Sequence, residues 1–242
     1  MFYQSIRIQI AIITKLINNT KFKIDKGDHL LDTHTHILWN IDDGSKNQCM
    51  SLQMLEIAAR SGTKAIFATP HVIERANKPS WEEIKEKTQQ LRQLCAEAQI
   101  DIMLYPGAEV QMNWELLPEL GATGAYCLNG GRYLLIELPA AEIPAYADEF
   151  WYELELKGIT PILAHPERYQ QLRENPDLLS LWRRRGMLMQ CNSGSFTGMF
   201  GSSVCENAKV LLANGLVDLL GSDGHRSEGR NTDMSVSYTH LR

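Results

Sequence analysis

The chain has 242 residues, of which 44% are hydrophobic and 22% are charged, and this length suits one large domain with a sizeable core. The net charge of -5 argues against a general nucleic-acid binder, because such proteins present basic residues to the phosphates. The five cysteines show no C-x-x-C spacing, which indicates reduced thiols and a cytoplasmic location. None is followed by Arg six residues later, so the loop of cysteine-based tyrosine phosphatases is absent.

The first part of the chain, residues 1–28, alternates apolar with polar side chains before a charged stretch. It contains no apolar run long enough to span a bilayer, and no small-residue cleavage signature follows it. We interpret residues 1–28 as an N-terminal extension ahead of the domain, and we expect no insertion into a membrane.

Seven short apolar runs, rich in Ile, Leu and Val, predict strands. In chain order they are residues 29–36, 64–71, 101–109, 133–139, 159–167, 187–192 and 216–225. Between them, four stretches predict helices: residues 46–60, 80–98, 142–157 and 202–213. Ser80 and Glu83 have the spacing of a capping box at the start of the second helix. Residues 112–131 have no regular pattern, and we interpret them as a loop-rich insertion.

This alternation of strands and helices predicts an α/β fold with parallel strands. A closed barrel is favoured over an open sheet, because polar clusters end at least six strands and do not meet at one switch point. We expect the barrel domain to span residues 29–230. Residues 231–242 have no helical apolar face, so we expect an atypical C-terminal tail and a barrel without its normal last helix.

Six of the seven runs end in His, Asp or Glu, and five of the seven histidines lie at such ends. In an extended strand His34 and His36 point the same way, so both imidazoles can bind one ion. Asp42 and Asp43 follow on the next loop. The later runs end in these residues: His71, Glu109, Glu137, His165, Asp223 and His225. One carboxylate after a strand is usually a cap, but this repetition indicates a metal centre at the mouth of the barrel.

Other catalytic patterns are missing from the sequence. There is no G-x-S-x-G motif for a nucleophilic serine, no Walker lysine and no dinucleotide fingerprint. The segment GSFTGMFG, residues 194–201, either donates backbone amides at the mouth or forms an ordinary loop.

The ordered motifs DTHTH, IDDG, TPH, GAE, LIE, AHPERY and SDGH resemble the PHP (polymerase and histidinol phosphatase) superfamily. Within it, the chain is most similar to the bacterial tyrosine-protein phosphatases of the CpsB/YwqE type, which act with capsule and exopolysaccharide synthesis systems. The resemblance covers about residues 31–230, and it implies a distorted (β/α)7 TIM-like barrel, the PHP fold.

The same resemblance implies a centre of three divalent metal ions. The first ion would be held by His34, His36, Glu109 and Asp223. Glu109 would bridge to the second ion, which Glu137 and His165 complete. The third would be held by Asp43, His71 and His225. Manganese is the expected metal, although iron and zinc also suit mixed imidazole and carboxylate ligands.

Further residues match the family pattern for the substrate. Arg168 and Arg230 lie where family members use Arg on substrate phosphate, and the fork-shaped guanidinium suits phosphate oxygens. Glu137 lies where several other PHP members, including histidinol phosphatases, have His, which favours the tyrosine-phosphatase branch. The group that protonates the leaving oxygen stays open between Glu167 and a metal-bound water.

We therefore hypothesise a protein-tyrosine phosphatase that uses in-line attack by metal-bound hydroxide. Three divalent ions bring six positive charges and four carboxylates cancel four, so an acidic chain can keep a positive pocket. The implied partner is a phosphotyrosine protein, in particular a membrane-associated bacterial tyrosine autokinase. The alternatives are a histidinol-phosphatase-like or other small-molecule PHP phosphoesterase, and a metal-binding protein without activity.

Overall fold

The computed structural model describes residues 30–121 and 124–235. The strands of these residues are β1 Leu30–Thr35, β2 Thr63–Ala68, β3 His71–Val72, β4 Met103–Pro106, β5 Glu109–Gln111, β6 Tyr133–Glu137, β7 Thr160–Ala164, β8 Leu188–Asn192 and β9 Leu219–Gly221. The helices are α1 Gln48–Arg60, α2 Trp81–Glu97, α3 Ala147–Leu156, α4 Gln170–Glu174, α5 Pro176–Arg184, α6 Ser193–Phe196 and α7 Ser202–Ala213. The predicted extension 1–28 and residues 236–242 of the predicted tail lie outside the described residues.

The strands pair in parallel in two sheets, with the orders β1-β2-β4 and β3-β5-β6-β7-β8-β9. The end of β1 also lies beside the residues that follow β9. Thr35 forms an isolated parallel bridge with Gly224, and the Asp223 amide donates to the His34 carbonyl over 2.7 Å. The strands thus curl into a half-barrel with their carboxyl ends on one side, which confirms the predicted parallel α/β architecture.

Two of the seven predicted strands are each broken into two pieces. Residues 64–71 form β2 and β3 on either side of Thr69 and Pro70, and residues 101–109 form β4 and β5 on either side of Gly107 and Ala108. Proline has no N–H for a strand ladder. A Cβ on Gly107 would lie 2.7 Å from the Leu128 side chain, so the chain passes closely there. At both breaks the chain moves from the first sheet to the second.

The predicted helices are present, although two begin later than expected. α1 begins at Gln48, where Asn47 accepts a hydrogen bond from the Met50 amide, instead of at residue 46. α3 begins at Ala147 instead of residue 142, and Pro144, which disfavours helical backbone at Ile143, lies in the preceding segment that is not helical. The capping residue Ser80 accepts from the Glu83 amide over 3.1 Å, as predicted.

Three short helices were not predicted. α4, with five residues, and α5, with nine, lie between the fifth and sixth predicted strands, where the sequence pattern indicated no element. α6, with four residues, begins directly after β8. Across residues 30–121 and 124–235, no helix combines the length and the hydrophobicity that a membrane span needs.

The buried side chains form two clusters that follow the alternation of the strands. On β6, Leu134 and Ile136 pack with the helices, whereas Tyr133 and Leu135 belong to a smaller cluster made almost entirely of strand residues. Strands buried on both faces are typical of parallel sheets. The chain after β9 is also packed: the Met234 side chain is fully buried, in the larger cluster.

Candidate metal centre

Most of the predicted metal-binding side chains lie where a strand ends or shortly after a break in it, and Asp43 lies on the loop between β1 and α1. His34 is on β1, and His71 and Glu109 begin the short strands that follow the two breaks. The remaining side chains follow β1, β6, β7 and β9 or end them: His36, Asp43, Glu137, His165, Asp223 and His225. The sheet therefore brings residues from distant parts of the sequence to one rim.

One buried group consists of two imidazoles and two carboxylates, His34, His36, Glu109 and Asp223, whose ligand atoms lie within 4.8 Å of one another. The two Nε2 atoms are 3.1 Å apart, and Glu109 Oε2 is 3.0 Å from the first and 3.2 Å from the second. Asp223 Oδ1 lies 3.5 Å and 3.3 Å from the same two nitrogens. This mixed set of donors suits a divalent transition metal.

A second group consists of His36, Asp43, His71 and His225. Asp43 Oδ1 lies 3.3 Å from His225 Nε2 and 3.8 Å from His71 Nε2. These three residues are the trio that the resemblance assigns to the third ion, and the structure adds His36 to them.

Around Glu109 the arrangement differs from a simple division into three sites. His71 Nδ1 lies 3.2 Å from Glu109 Oε2 and 3.2 Å from Glu137 Oε1, so this imidazole faces two groups through its two nitrogens. His165 Nε2 lies 2.8 Å from the other oxygen of Glu109. Glu109 is thus at the centre of the cluster, while the division of the nine side chains among ions stays a prediction.

The chemistry of these donors fits metal ions. Despite these short distances, four buried polar atoms of the cluster make no well-aligned hydrogen bond in the described chain: Glu109 Oε2, Asp223 Oδ1, His71 Nδ1 and His165 Nδ1. A buried polar atom without a partner carries the cost of its lost hydration. A divalent cation would compensate for that loss at the carboxylate oxygens and imidazole nitrogens.

Three further residues orient the candidate ligands. Gln190 Oε1 lies 2.9 Å from His34 Nδ1, and Asp42 Oδ2 lies 2.7 Å from His36 Nδ1. When Nδ1 donates to such an acceptor, Nε2 keeps its lone pair for a metal. Asn192 Nδ2 donates to Asp223 Oδ2 over 2.6 Å. Sequence reasoning missed Gln190 and Asn192, although two polar residues two apart in the apolar run 187–192 were a usable signal.

Asp32 is another buried residue that sequence reasoning passed over. Its Oδ1 accepts from the Ser222 amide over 2.8 Å and from the His34 amide over 3.2 Å, so it joins β1 to the chain after β9. Burial raises the pKa of this carboxyl to about 6.

The charges of the cluster are strongly coupled. Burial disfavours charged His34, but the Glu109 and Asp223 carboxylates outweigh it and raise the pKa of this imidazole. The pKa of His36 is also raised, because Asp42 and its other acidic neighbours outweigh its burial. Burial likewise opposes charged Glu109, but His34 and His71 hold its pKa well below the usual range. A metal cation that binds these imidazoles must therefore displace protons.

The two predicted phosphate-binding arginines lie beside this cluster. Arg168 Nη1 donates to Asp223 Oδ2 over 3.2 Å, and Arg230 pairs with the same oxygen. Their side chains are 34% and 29% exposed, so both guanidinium groups can meet a ligand from solvent. The buried Nε atom of Arg230 has no acceptor within the described residues.

Glu167, one candidate for the group that protonates the leaving oxygen, lies in the turn after β7. It is fully buried, and its Oε1 accepts from the Asn192 amide over 2.9 Å and from Ser195 Oγ over 2.7 Å. Its backbone carbonyl accepts from Asn207 Nδ2. Glu167 therefore fixes the turn after β7, and the choice between Glu167 and a metal-bound water as the acid stays open.

Two of the candidate ligands have left-handed backbone. His165 has φ of 36° and Asp223 has φ of 53°, a region that costs a non-glycine residue about 1–3 kcal/mol. Backbone hydrogen bonds hold both: His165 donates to the Gln190 carbonyl, and Asp223 donates to the His34 carbonyl, each over 2.7 Å. Such strain is typical of functional sites.

Comparisons with known proteins identify the family to which the chain belongs. The family model for capsular polysaccharide synthesis proteins of the CpsB/CapC type matches residues 30–242. The chain belongs to this family. It is 35% identical to the tyrosine-protein phosphatase YwqE of Bacillus subtilis over 84% of this chain and 80% of that protein. It is 28% identical to the tyrosine-protein phosphatase CpsB of Streptococcus pneumoniae, over 86% of this chain and 88% of the relative.

Solved structures extend this comparison. One chain from the crystal structures of YwqE and CpsB, described as metal-dependent tyrosine phosphatases, matches with a TM-score of 0.82 and 33% identity, over 88% of this chain and 85% of the other. A histidinol phosphate phosphatase from Lactococcus lactis has a TM-score of 0.57 at 16% identity, over 87% and 91% of the two chains. The second match concerns the fold alone.

Proposed function

We propose that this CpsB/CapC-family chain is a metal-dependent protein-tyrosine phosphatase that acts in capsule or exopolysaccharide synthesis. The observation that carries the proposal is the convergence of imidazoles and carboxylates on one buried point, beside two partly exposed arginines. The names of YwqE and CpsB, which are similar to this chain over most of its length, support phosphotyrosine as the substrate. We propose a membrane-associated tyrosine autokinase as the source of that phosphotyrosine.

The centre would hold three divalent ions, with manganese as the proposed metal. The proposed ligands of the first ion are His34, His36, Glu109 and Asp223. Those of the second are Glu109, Glu137 and His165, and those of the third are Asp43, His71 and His225. When bound, such ions polarise a phosphoryl group and activate water for in-line attack.

The chain's own residues have separate roles in this proposal. Asp42 and Gln190 keep the imidazoles of His36 and His34 oriented toward the centre. Arg168 and Arg230 bind the non-bridging oxygens of the phosphate, for which they exchange their present contact with Asp223. A tyrosine phenolate has a pKa near ~10, lower than that of an alkanol, so it leaves with less help from an acid. A phenolate therefore depends less on proton donation by a protein group such as the buried Glu167.

We also propose that the half-barrel is closed as a distorted (β/α)7 barrel over residues 29–230. The bridge between Thr35 and Gly224 supports this closure, because it joins the first strand to the chain after the last one. The five free cysteines support a reducing, cytoplasmic location.

A comparison of substrates tests the proposed activity. We expect the manganese-loaded protein to have a higher kcat/KM for a phosphotyrosine peptide than for histidinol phosphate or a nucleotide monophosphate. Higher efficiency on histidinol phosphate would favour the small-molecule phosphoesterase instead. A protein that binds metal and gains thermal stability from it, but cleaves no phosphate ester, would be the inactive metal-binding protein.

A further inference from the structure

The segment Thr197–Gly201, between α6 and α7, brings an aromatic ring to the two arginines. We call this segment the rim loop. The centre of the Phe200 ring is 4.9 Å from Arg168 Cζ and 5.5 Å from Arg230 Cζ, and the ring is only partly buried. One aromatic side chain therefore contacts both guanidinium groups that also pair with Asp223.

The rim loop is anchored to the body of the protein. The Met199 amide and Thr197 Oγ1 both donate to the Gly194 carbonyl over 3.0 Å. The Met199 side chain packs so closely on Gly194 that a Cβ there would lie 2.8 Å from its sulfur. Gly198 and Gly201 have φ of +84° and +95°, so the tight turn depends on residues without a Cβ. These contacts fix the backbone that presents Phe200.

The arginines need such a support because their own contacts are few. Both are about one-third exposed, and each pairs with the same oxygen of Asp223, which is also a candidate metal ligand. Arginine has several rotatable bonds, so holding an exposed guanidinium in one orientation costs conformational entropy. An aromatic face compensates in part, because it attracts the cation and stacks with its planar group.

We propose that Phe200 is a positioning residue that holds Arg168 and Arg230 together in the orientation that binds phosphate. This inference rests on the proposed function for the role of the two arginines. Phe200 acts through the guanidinium groups and has no part in the chemical step. Its removal should therefore weaken phosphate binding and leave the metal centre intact.

The test is the affinity of the manganese-loaded protein for inorganic phosphate, measured by calorimetry. We expect Phe200→Ala and Phe200→Leu to weaken phosphate binding roughly three- to tenfold, the loss expected for one or two partly exposed cation–π contacts. Phe200→Tyr keeps the aromatic face and should restore an affinity close to the wild type. Val210→Ala, at an exposed apolar residue of α7, is the matched control and should change nothing.

A double-mutant cycle separates positioning from a general effect on the loop. In the Arg168→Ala/Arg230→Ala background, Phe200→Ala should cause little further loss of phosphate affinity, because its target is gone. Metal content and Tm, measured for each variant, identify any variant that fails to fold. For phosphotyrosine, Phe200→Ala should raise KM by the same factor as the dissociation constant of phosphate, with kcat little changed.

Phosphate binding that is unaffected in Phe200→Ala and Phe200→Leu would overturn the inference. It would also be overturned if only the preference for aryl over alkyl phosphates fell, since Phe200 would then contact the substrate ring. Equal losses with and without the arginines would indicate a structural role alone. Phosphate binding needs no turnover, so a wild type that binds phosphate and cleaves no phosphotyrosine would contradict only the proposed function.

Discussion

The hydrogen-bond acceptors next to the histidine Nδ1 atoms decide which ring nitrogen faces the metal centre. Asp42 Oδ2 lies 2.7 Å from His36 Nδ1 and also accepts from the His71 amide over 2.9 Å, so one oxygen serves two candidate ligands. Carboxylates in this position fix the tautomer and orientation of a metal-binding imidazole. Asp42 should therefore contribute to metal affinity without touching a metal.

We predict that Asp42→Asn weakens metal binding by roughly 10–100-fold, the loss typical for such supporting residues. In this variant Oδ1 still accepts from the Gly44 amide, and an NH2 group replaces Oδ2. That group cannot accept from His36 Nδ1 or from the His71 amide, so both hydrogen bonds are lost. Manganese titration of the chelator-treated protein measures the change. Asp101→Asn is the control, because Asp101 is exposed and pairs only with Lys64 in the described chain. An unchanged metal affinity in Asp42→Asn would show that Asp42 does not orient the candidate ligands.

The arginines should be distinguishable from lysines at the same positions. We predict that Arg230→Lys lowers kcat/KM for phosphotyrosine about tenfold or more, because lysine presents a point charge and lacks the guanidinium fork. Its metal content should stay that of the wild type. Arg184→Lys, at an exposed residue of α5, controls for the substitution itself. Full activity in Arg230→Lys would show that the fork is not used.

For single residues, the sequence was most informative where a His, Asp or Glu side chain follows a predicted strand. The runs that end in His, Asp and Glu, with the IDDG loop, indicated these side chains, and the family resemblance chose Asp43 over Asp42; the structure brings all nine candidates to one rim. Gln190 and Asn192 left a signal, two polar residues in an apolar run, but their partners, like those of Phe200, depend on which neighbours the folded chain places beside them. The approach of His71 to two groups likewise depends on where the folded chain places Asp43, Glu109 and Glu137.

Among the elements, the close approach of β9 to β1 shapes the centre most directly. A Cβ on Gly221 would lie 2.5 Å from His34 Cβ and 3.0 Å from the His34 nitrogen, so only glycine fits there. We predict that Gly221→Ala lowers the free energy of unfolding by about 1–3 kcal/mol, the usual cost of overpacking, and weakens metal binding as well.

A substitution at the Ser80 helix cap serves as the control for Gly221→Ala. Ser80→Ala removes the acceptor of the Glu83 amide and should cost about 1 kcal/mol of unfolding free energy. Within residues 30–121 and 124–235, no hydrogen bond or ion pair joins Ser80 to a candidate ligand, so metal affinity should stay unchanged. Denaturant unfolding and manganese titration of both variants decide the prediction. Loss of metal binding in Ser80→Ala, or normal binding in Gly221→Ala, would contradict it.

Local sequence signals placed the helices better than the strands. The capping box at Ser80 and the stop of α7 are local, and they lie where expected. The breaks at Thr69–Pro70 and Gly107–Ala108 were not predicted, because the apolar runs continue through them and the change of sheet is a tertiary event. The helices α4 and α5 are short and separated by Asn175, so neither gave a long periodic pattern.

For the whole molecule, the centre links metal binding to pH. The pKa values of His34 and His36 are raised above that of an ordinary histidine, so the metal-free protein holds these protons to a higher pH. A protonated imidazole cannot bind a metal. Because the folded-state pKa values are raised, the proton competes more strongly as the pH falls, and it already competes above pH ~6.5.

We therefore predict that manganese affinity falls as the pH is lowered from 8 to 6, with a decline already present between pH 8 and 7. Titrations at constant ionic strength measure the dissociation constant at each pH. Proton release on metal binding, measured in buffers of different ionisation enthalpy, should follow the same trend. An affinity that stays constant from pH 8 to 6 would show that these imidazoles do not bind the metal.

We expect that metal ions bound by this cluster carry the phosphatase activity of this acidic chain. The most direct test combines metal analysis of the purified protein with phosphotyrosine hydrolysis before chelation, after chelation and after reloading with manganese. We expect about three divalent ions per chain, loss of activity with the chelator and recovery on reloading, while blocking the five cysteines has little effect. Activity that survives complete removal of metal, or that is lost when the thiols are blocked, would show that the metal centre does not carry the activity.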